Sequence, residues 1–436
     1  MSKSRSEQQP IRLGFVGAGS FMAKDFAPVF AAHPGIGDMY VADLVLERAE
    51  RVVNECGFAG AVSTVQALIE LEVDAIAIFT PRDTHAQIAI EALRQGVHVY
   101  SAVPAATSLD DLRALVDAVE AHRCVYMTGE TSYYYPEAVY CRNQFGSGRW
   151  GRFVHADAQY VHDMATWGPH FELTYGKQWR AHAAIPPLLY ATHSFSLPLS
   201  ITDAHVTGIS ALGWVDPFAD SGYGPGNNPW NNPFSNEVAL ARTSDGGMIR
   251  VGEFRRIGWF AQRNGREVMM PAFYCTDVCF EENSGSTILI ARRGHEGHKD
   301  WSHDDGWQRD IDPWVACQFY AEPEPHSDAY PGMAHAHHTE RLPREYQHVR
   351  NGHNGSHQFL VDDFVRACQT RTVPPCNVWR SAAWTAPGLV GHQSAIRSGE
   401  WLDVPHFGDR PNDWPELDLP IRQGHPGEPQ PPELMR

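Results

Sequence analysis

The chain has 436 residues, 43% of them hydrophobic, which allows two or three domains around a large core and excludes a disordered chain. Its net charge of −17 argues against nucleic acid, because neutralising phosphates takes clustered Lys and Arg, and against an anionic membrane surface. No apolar run reaches the ~20 residues that span a bilayer, and the polar stretch Met1–Pro10 has no signal-peptide core, so the expected location is the cytoplasm.

From the N-terminus, apolar runs alternate with amphipathic stretches. Arg12–Val16, Met39–Ala42, Ala75–Phe79, Val97–Ser101 and Cys124–Met127 read as strands, and residues 20–32, 45–56, 84–95 and 108–121 read as helices. Short links between them predict a doubly wound parallel sheet with helices on both faces. Ser108 is the expected N-cap of the last helix. Near residues 146–151 the texture changes. Phe153–Val161, Glu237–Arg242, Gly247–Phe254 and Ser286–Ala291 alternate as strands of an antiparallel sheet with one wet face. Asp216–Asn236, rich in Gly, Pro and Asn, reads as a functional loop or lid, and Ala321–Gly355 as a second irregular stretch. Helices are expected near 357–369 and 379–397, and an extended Pro-rich tail from Pro411. The fold class is α/β: a nucleotide-binding domain over residues 1–147, an α+β substrate and oligomerisation domain over 148–410, and a tail over 411–436. The eight cysteines include no C-x-x-C pair and are expected as free thiols.

Gly17-Ala18-Gly19-Ser20-Phe21-Met22 follows a strand and opens a helix. In that context the first glycine makes the tight turn, the second lets a pyrophosphate approach, and the helix N-terminus holds the anion. Asp43, at the end of the second strand, can accept from the adenosine ribose hydroxyls and would repel a 2′-phosphate, which favours NAD over NADP. Met22 stands at the third glycine position, a departure from the strict fingerprint.

Further segments resemble the Gfo/Idh/MocA superfamily of NAD(P)-dependent sugar oxidoreductases. Thr80-Pro81-Arg-Asp-Thr-His85 is similar to its T-P-N-x-x-H turn, and Glu91–Val99 to its A-L-x-x-G-K-H-V segment. His98–Ser108 falls on V-x-x-E-K-P-x-A-T-S, and Gly148–Gly151 on the G-x-x-G that starts the second domain. The resemblance runs over residues 11–400. It implies a Rossmann domain followed by a large, mostly antiparallel sheet, with NAD bound through Gly17, Gly19, Ser20, Phe21, Met22, Asp43, Thr80, Pro81, His85, Ala102 and Pro104. It also implies a homodimer or homotetramer built by pairing those sheets.

The departures matter most. Ala102 and Val103 replace the acid and the lysine of E-K-P, and a valine can neither shuttle a proton nor hold a hydroxyl. Where the family has an acid and a histidine four apart, this chain has Leu189 and His193, with Tyr190 three before the histidine. Tyr-x-x-His beside a broken E-K-P resembles the NAD-dependent glycosidases of the superfamily. The resemblance implies transient oxidation of a sugar hydroxyl by tightly bound, recycled NAD, elimination of the aglycone, addition of water and re-reduction. The alternatives are a plain sugar or cyclitol dehydrogenase and a non-catalytic NAD- or sugar-sensing protein.

His193, Tyr190 and Tyr134 are the expected catalytic residues, the last from the segment Thr128–Pro136 after a strand end, whose tyrosines can equally pack between domains. Tyr133, Asp163, Arg180, Glu253, His353 and His357 are expected to border the substrate, a small-molecule sugar or glycoside. Arg180 can equally be a solvated arginine, and Glu253 can pair with Arg255 on the same strand face. His335, His337 and His338 have no second cluster at metal-site spacing, and no metal is expected.

Overall fold

The computed structural model describes residues 9–19, 25–164, 168, 171–172, 175–218, 222–257, 262–263, 266–282, 287–291, 317, 333–344, 346–349 and 352–419. A six-stranded parallel sheet opens the chain: β1 (Ile11–Val16), β2 (Ile36–Ala42), β3 (Gly60–Val62), β4 (Ala75–Ile78), β5 (His98–Ser101) and β6 (Tyr126–Thr128). The spatial order β3-β2-β1-β4-β5-β6 reverses direction beside β1, where the carboxyl ends of β1 and β4 leave a crevice. The central strands are apolar on both faces, as a sheet covered on both sides requires: every residue of β4 is buried. Around it lie α1 (Ala27–Ala31), α2 (Leu46–Cys56), α3 (Val65–Ile69), α4 (His85–Arg94) and α5 (Leu109–His122). The Ser108 hydroxyl caps α5 by accepting from Asp111 N–H at 3.1 Å. The alternation of the sequence does not announce β3, because three half-buried residues at a sheet edge carry too little pattern.

The second sheet has eight strands: β7 (Phe153–Val161), β8 (Val206–Val215), β9 (Phe234–Thr243), β10 (Met248–Phe254), β13 (Ala272–Cys275), β14 (Val278–Glu282), β15 (Thr287–Ala291) and β16 (Leu402–Asp403). A separate hairpin, β11 (Gln262–Arg263) with β12 (Arg266–Glu267), precedes β13. All pairings of the large sheet are antiparallel except β7 with β10. In β9, Ala239 and Ala241 point inward while Val238 and Leu240 are exposed, so one face is covered and the other is open.

Among the described residues, the helices α6 (Pro136–Phe145), α7 (Trp179–Ala183), α8 (Thr192–Thr202), α9 (Ser356–Thr370) and α10 (Val378–Ile396) follow the first sheet. Every residue of α8 is buried, as a helix sandwiched between layers must be. The last two helices return to the first sheet. Thr128 N–H donates to Cys376 O at 2.9 Å, and the His33 ring meets Asp362 of α9 at 3.1 Å.

Two stretches are more fixed than their composition predicts. The described part of Asp216–Asn236 is held by Asn228, whose Oδ1 accepts from Trp230 and Asn232 N–H groups at 3.1 and 2.9 Å. Of the expected tail, residues 420–436 lie outside the described residues; in the described part Trp414 is buried against Trp379, with ring centroids 6.1 Å apart.

Candidate active site

The crevice at the end of β1 fits a dinucleotide. Gly17 has φ +97°, and a Cβ there would lie 2.6 Å from Phe79 O, so only glycine lets the turn sit against the end of β4. A Cβ at Gly19 would meet no atom of the described residues within 4 Å, which leaves the backbone open to a close-approaching ligand. Asp43 Oδ2 accepts from Ala18 N–H at 2.8 Å and Oδ1 from Val45 N–H at 2.9 Å. The carboxylate therefore fixes the turn and retains lone pairs for ribose hydroxyls. Ser20, Phe21 and Met22 lie outside the described residues.

Thr80 and Pro81 follow β4 beside Gly17, and Thr80 Cγ2 lies 3.2 Å from where a Gly17 Cβ would stand. His85 is a clip. Its ring nitrogens lie 2.9 Å from Pro104 O and 2.9 Å from Thr80 O, which ties the β4 turn to the Ala102–Pro104 loop. Burial pushes its pKa below the usual histidine range. Ala102, half-buried, continues the sheet through its own N–H to Ile78 O at 3.0 Å.

The polar chemistry missing from that loop is supplied from the next strand end. Glu130, two residues past β6, is fully buried, and its Oε1 lies 2.6 Å from His193 Nδ1. The same oxygen accepts from Ser132 N–H at 3.0 Å, which fixes the carboxylate. His193 is in the first turn of α8. Its neighbour Ser194 donates to Glu253 Oε1, and Arg255 holds Glu253 Oε2 at 2.8 Å. Burial opposes the imidazolium, but the Glu130 charge and its hydrogen bond outweigh it, so the His193 pKa is pushed up to about 10. Nδ1–H is committed to Glu130, which leaves Nε2 as the proton-carrying atom. Glu130 Oε2 and the hydroxyls of Thr131 and Thr192, neighbours of the pair in sequence, are buried without a partner among the described residues.

Aromatic rings frame the histidine. Tyr190 ends the 3-10 turn Pro187–Tyr190 rather than sharing a helix with His193, yet their rings meet edge to face at 5.2 Å. Tyr160 lies 5.0 Å from the imidazole and stacks on His162 at 4.8 Å. The Arg82 guanidinium sits 4.2 Å over the Tyr190 ring and so reaches from the turn after β4 to the substrate side. Burial and the Arg255 charge hold His162 well below the usual range, hence neutral. His353, its Nδ1 2.7 Å from His357 Nε2, lies within electrostatic reach of His193 and Glu130; burial, then the His193 charge, lower its pKa to about 4.

Other expected residues are spent elsewhere. The Tyr134 hydroxyl donates to Asp363 and accepts from Arg341 at 3.1 Å, and burial and then the Asp363 charge raise its pKa well above the phenol range. That is a structural network, not a proton carrier. Tyr133 lies in the core under the Arg142 guanidinium, 3.8 Å from its ring. Glu253 is the salt-bridged partner of Arg255 and braces α8; burial raises its pKa to about 7 against the pull of Arg255. Asp163 Oδ2 accepts from Ile257 N–H at 3.0 Å. Arg180 is exposed over Trp179, beside a surface hollow it shares with Lys177 and Asn227. His337 is used by Ala334 N–H and Tyr134 O, at 2.9 and 2.6 Å. Glu130 is the residue the sequence reading passed over. Its only local signal is an acid just beyond a strand end, on the ligand side of a parallel sheet.

Residues 11–130 match the model of the Gfo/Idh/MocA oxidoreductase family with its NAD-binding Rossmann fold. The N-terminal domain belongs to that family. Its cofactor is NAD, in keeping with the open glycine turn and Asp43. A protein of Saccharopolyspora erythraea named glycosyl hydrolase family 109 protein is 24% identical over 92% of this chain and 83% of its own length. One of the same name from Streptomyces niveus is 25% identical over 91% of this chain and 77% of its own. A levoglucosan dehydrogenase solved with NADH and levoglucosan superposes with a TM-score of 0.65, 16% identity and coverage of 91% of this chain and 100% of that one. That likeness shows a shared fold across both sheets. Among the described residues, no helix is long and apolar enough to cross a membrane.

Proposed function

We propose that this Gfo/Idh/MocA protein is an NAD-dependent carbohydrate-active enzyme that moves hydride between a sugar hydroxyl carbon and NAD as the transient redox step of glycoside cleavage. The observation that carries the reading is the buried Glu130–His193 pair, 2.6 Å apart, next to Tyr190 and beside a loop where Ala102 and Val103 leave no proton carrier. Bound NAD supplies a hydride acceptor and then a donor. The protein must move protons: off the hydroxyl that is oxidised, off the neighbouring carbon, and onto the leaving oxygen. His193 Nε2, charged while Glu130 holds Nδ1–H, is suited to donate to the leaving oxygen. Tyr190, half-buried at the mouth under Arg82, supplies a second exchangeable proton. The names of the two relatives point the same way. The substrate class is a sugar or glycoside, in keeping with the names of those relatives.

The test uses purified protein with no added nucleotide and a panel of aryl α- and β-glycosides. Aglycone release, with nicotinamide nucleotide recovered from the denatured protein and solvent deuterium entering the product beside the oxidised carbon, is the expected outcome. Stoichiometric NADH formation on polyols without cleavage would replace this reading by a plain dehydrogenase. His193→Ala should abolish turnover by either route while leaving NAD affinity nearly unchanged; activity surviving that change would remove His193 from the chemistry.

A further inference from the structure

The turn that opens α9 is strained in an unusual way. His353, Asn354 and Gly355 hold φ of 46°, 54° and 88° in succession, so two non-glycine residues occupy the left-handed region side by side. Such backbone persists where surrounding contacts over-determine it, and it gathers at ligand sites. Here the contacts come from both halves of the molecule. The His357 ring packs on Phe26, at the entry to α1, with centroids 4.1 Å apart. Ser356 Oγ lies 2.6 Å from Thr131 O, next to Glu130. Gly352 makes room for this, since a Cβ there would stand 2.5 Å from Cε1 of His357. The turn is therefore wedged between the first nucleotide-binding helix and the catalytic pair.

At its centre, Asn354 is fully buried, and neither its Oδ1 nor its Nδ2 has a partner among the described residues. A buried amide with donor and acceptor both idle is costly, and a fold keeps one where a ligand completes it. We propose that Asn354 pairs with the carboxamide of the nicotinamide when NAD binds. An amide is satisfied by a partner presenting one acceptor and one donor side by side. In NAD the nicotinamide carboxamide and the adenine edge both do so. The adenosine end is assigned to Asp43, at the carboxyl end of β2, whereas Asn354 belongs to the turn beside Glu130 and His193, where the reacting ring must lie. Through this pair the protein would fix the ring's rotation about its bond to ribose, and with it which face meets the sugar. The inference rests on NAD as cofactor and not on the reaction proposed above.

Calorimetric titration of nucleotide-free protein with NAD and with ADP-ribose, which lacks the nicotinamide, tests it without any turnover. Asn354→Ala and Asn354→Asp should each lose about tenfold or more in NAD affinity and bind ADP-ribose as the parent does. Unchanged ADP-ribose binding also certifies that the variants are folded. The 3-acetylpyridine analogue of NAD, which keeps the carbonyl but has no amide N–H, should bind the parent more weakly than NAD and lose less affinity than NAD on Asn354→Ala, since it has only the hydrogen bond to its carbonyl to lose. NAD affinity unchanged in both variants, or equal losses for NAD and ADP-ribose, would overturn the assignment. So would an analogue that the parent binds as tightly as NAD.

Discussion

His193 Nδ1 lies 2.6 Å from Glu130 Oε1, and the two residues reach this contact from opposite halves of the molecule, one from a loop after the nucleotide-binding sheet and one from a helix under the second sheet. Closing the two sheets on each other therefore assembles the proton carrier. Glu130→Gln preserves shape and removes the charge. The His193 pKa should then fall from about 10, because burial remains and its counterweight is gone. A step that needs the imidazolium will lose rate on the alkaline side at lower pH in the variant than in the parent, and kcat should drop roughly a hundredfold or more. The pH profile of kcat/KM reads both effects. An unshifted alkaline limb would remove Glu130 from that role.

The same pair carries a stability signature. The folded His193 pKa stands above its unfolded value, so the stabilisation is complete below the unfolded value and fades as pH rises toward about 10. Thermal melts across neutral to alkaline pH should show the parent losing stability through that window, and Glu130→Gln should show a flatter curve. Parallel curves would argue against it.

Gly17 and Gly19 should respond in different ways to alanine. At Gly17 the new methyl meets Phe79 O at 2.6 Å with φ +97°, so Gly17→Ala should lower stability by roughly 1–3 kcal/mol and weaken NAD binding with it. At Gly19 no atom of the described residues is near. Gly19→Ala should leave the melting temperature unchanged and weaken only nucleotide affinity, because the methyl enters the space the pyrophosphate needs. Differential scanning fluorimetry with and without NAD separates the two.

These contrasts show which parts of the site the sequence could reveal. The glycine turn and Asp43 are legible because their partners are local: Asp43 binds Ala18, 25 residues away, through a strand–helix–strand unit with a recognisable rhythm. Glu130 was invisible as a partner of His193 because 63 residues and a change of sheet separate them. Tyr133, Tyr134 and Tyr135 look alike in the sequence. The direction of each ring is set by residues far along the chain, Asp363 at a separation of 229 and Arg341 at 207 in the case of Tyr134. Periodicity found β7, β9, β10, β15 and the two last helices, but it missed the ten-residue β8, whose burial does not alternate cleanly, and the short β3, β13, β14 and β16.

The open face of the large sheet should be an interface. Leu212, Trp214, Val238, Leu240, Ile288 and Ile290 are exposed on its strands, and Leu212 lies directly opposite Val238 in register. Large apolar side chains gathered on β8 and β9, with a second group on β15, are a surface suited to a partner. The expected partner is a second copy of the chain. Light scattering should report a dimer or larger at micromolar concentration, and Leu240→Lys should shift the mass toward the monomer while NAD binding persists. A monomeric parent would remove this reading.

Tyr190 and Tyr134 offer the sharpest separation of chemistry from architecture. Tyr190 is half-buried, edge-on to His193 at 5.2 Å and covered by Arg82. Little of the fold depends on its hydroxyl, so Tyr190→Phe should keep the melting temperature and lose turnover. Tyr134 is fully buried, with its hydroxyl between Asp363 and Arg341. Tyr134→Phe leaves those charges one hydrogen bond short, so it should cost roughly 1–3 kcal/mol of stability. Its kcat should stay close to the parent's at temperatures where the protein is folded. Measuring melting temperature and kcat on both variants decides the matter. If Tyr134→Phe lost activity without losing stability, Asp363 and Arg341 would have to be read as holding a catalytic phenol, and the proton path would need to pass through α9 rather than through Glu130 and His193.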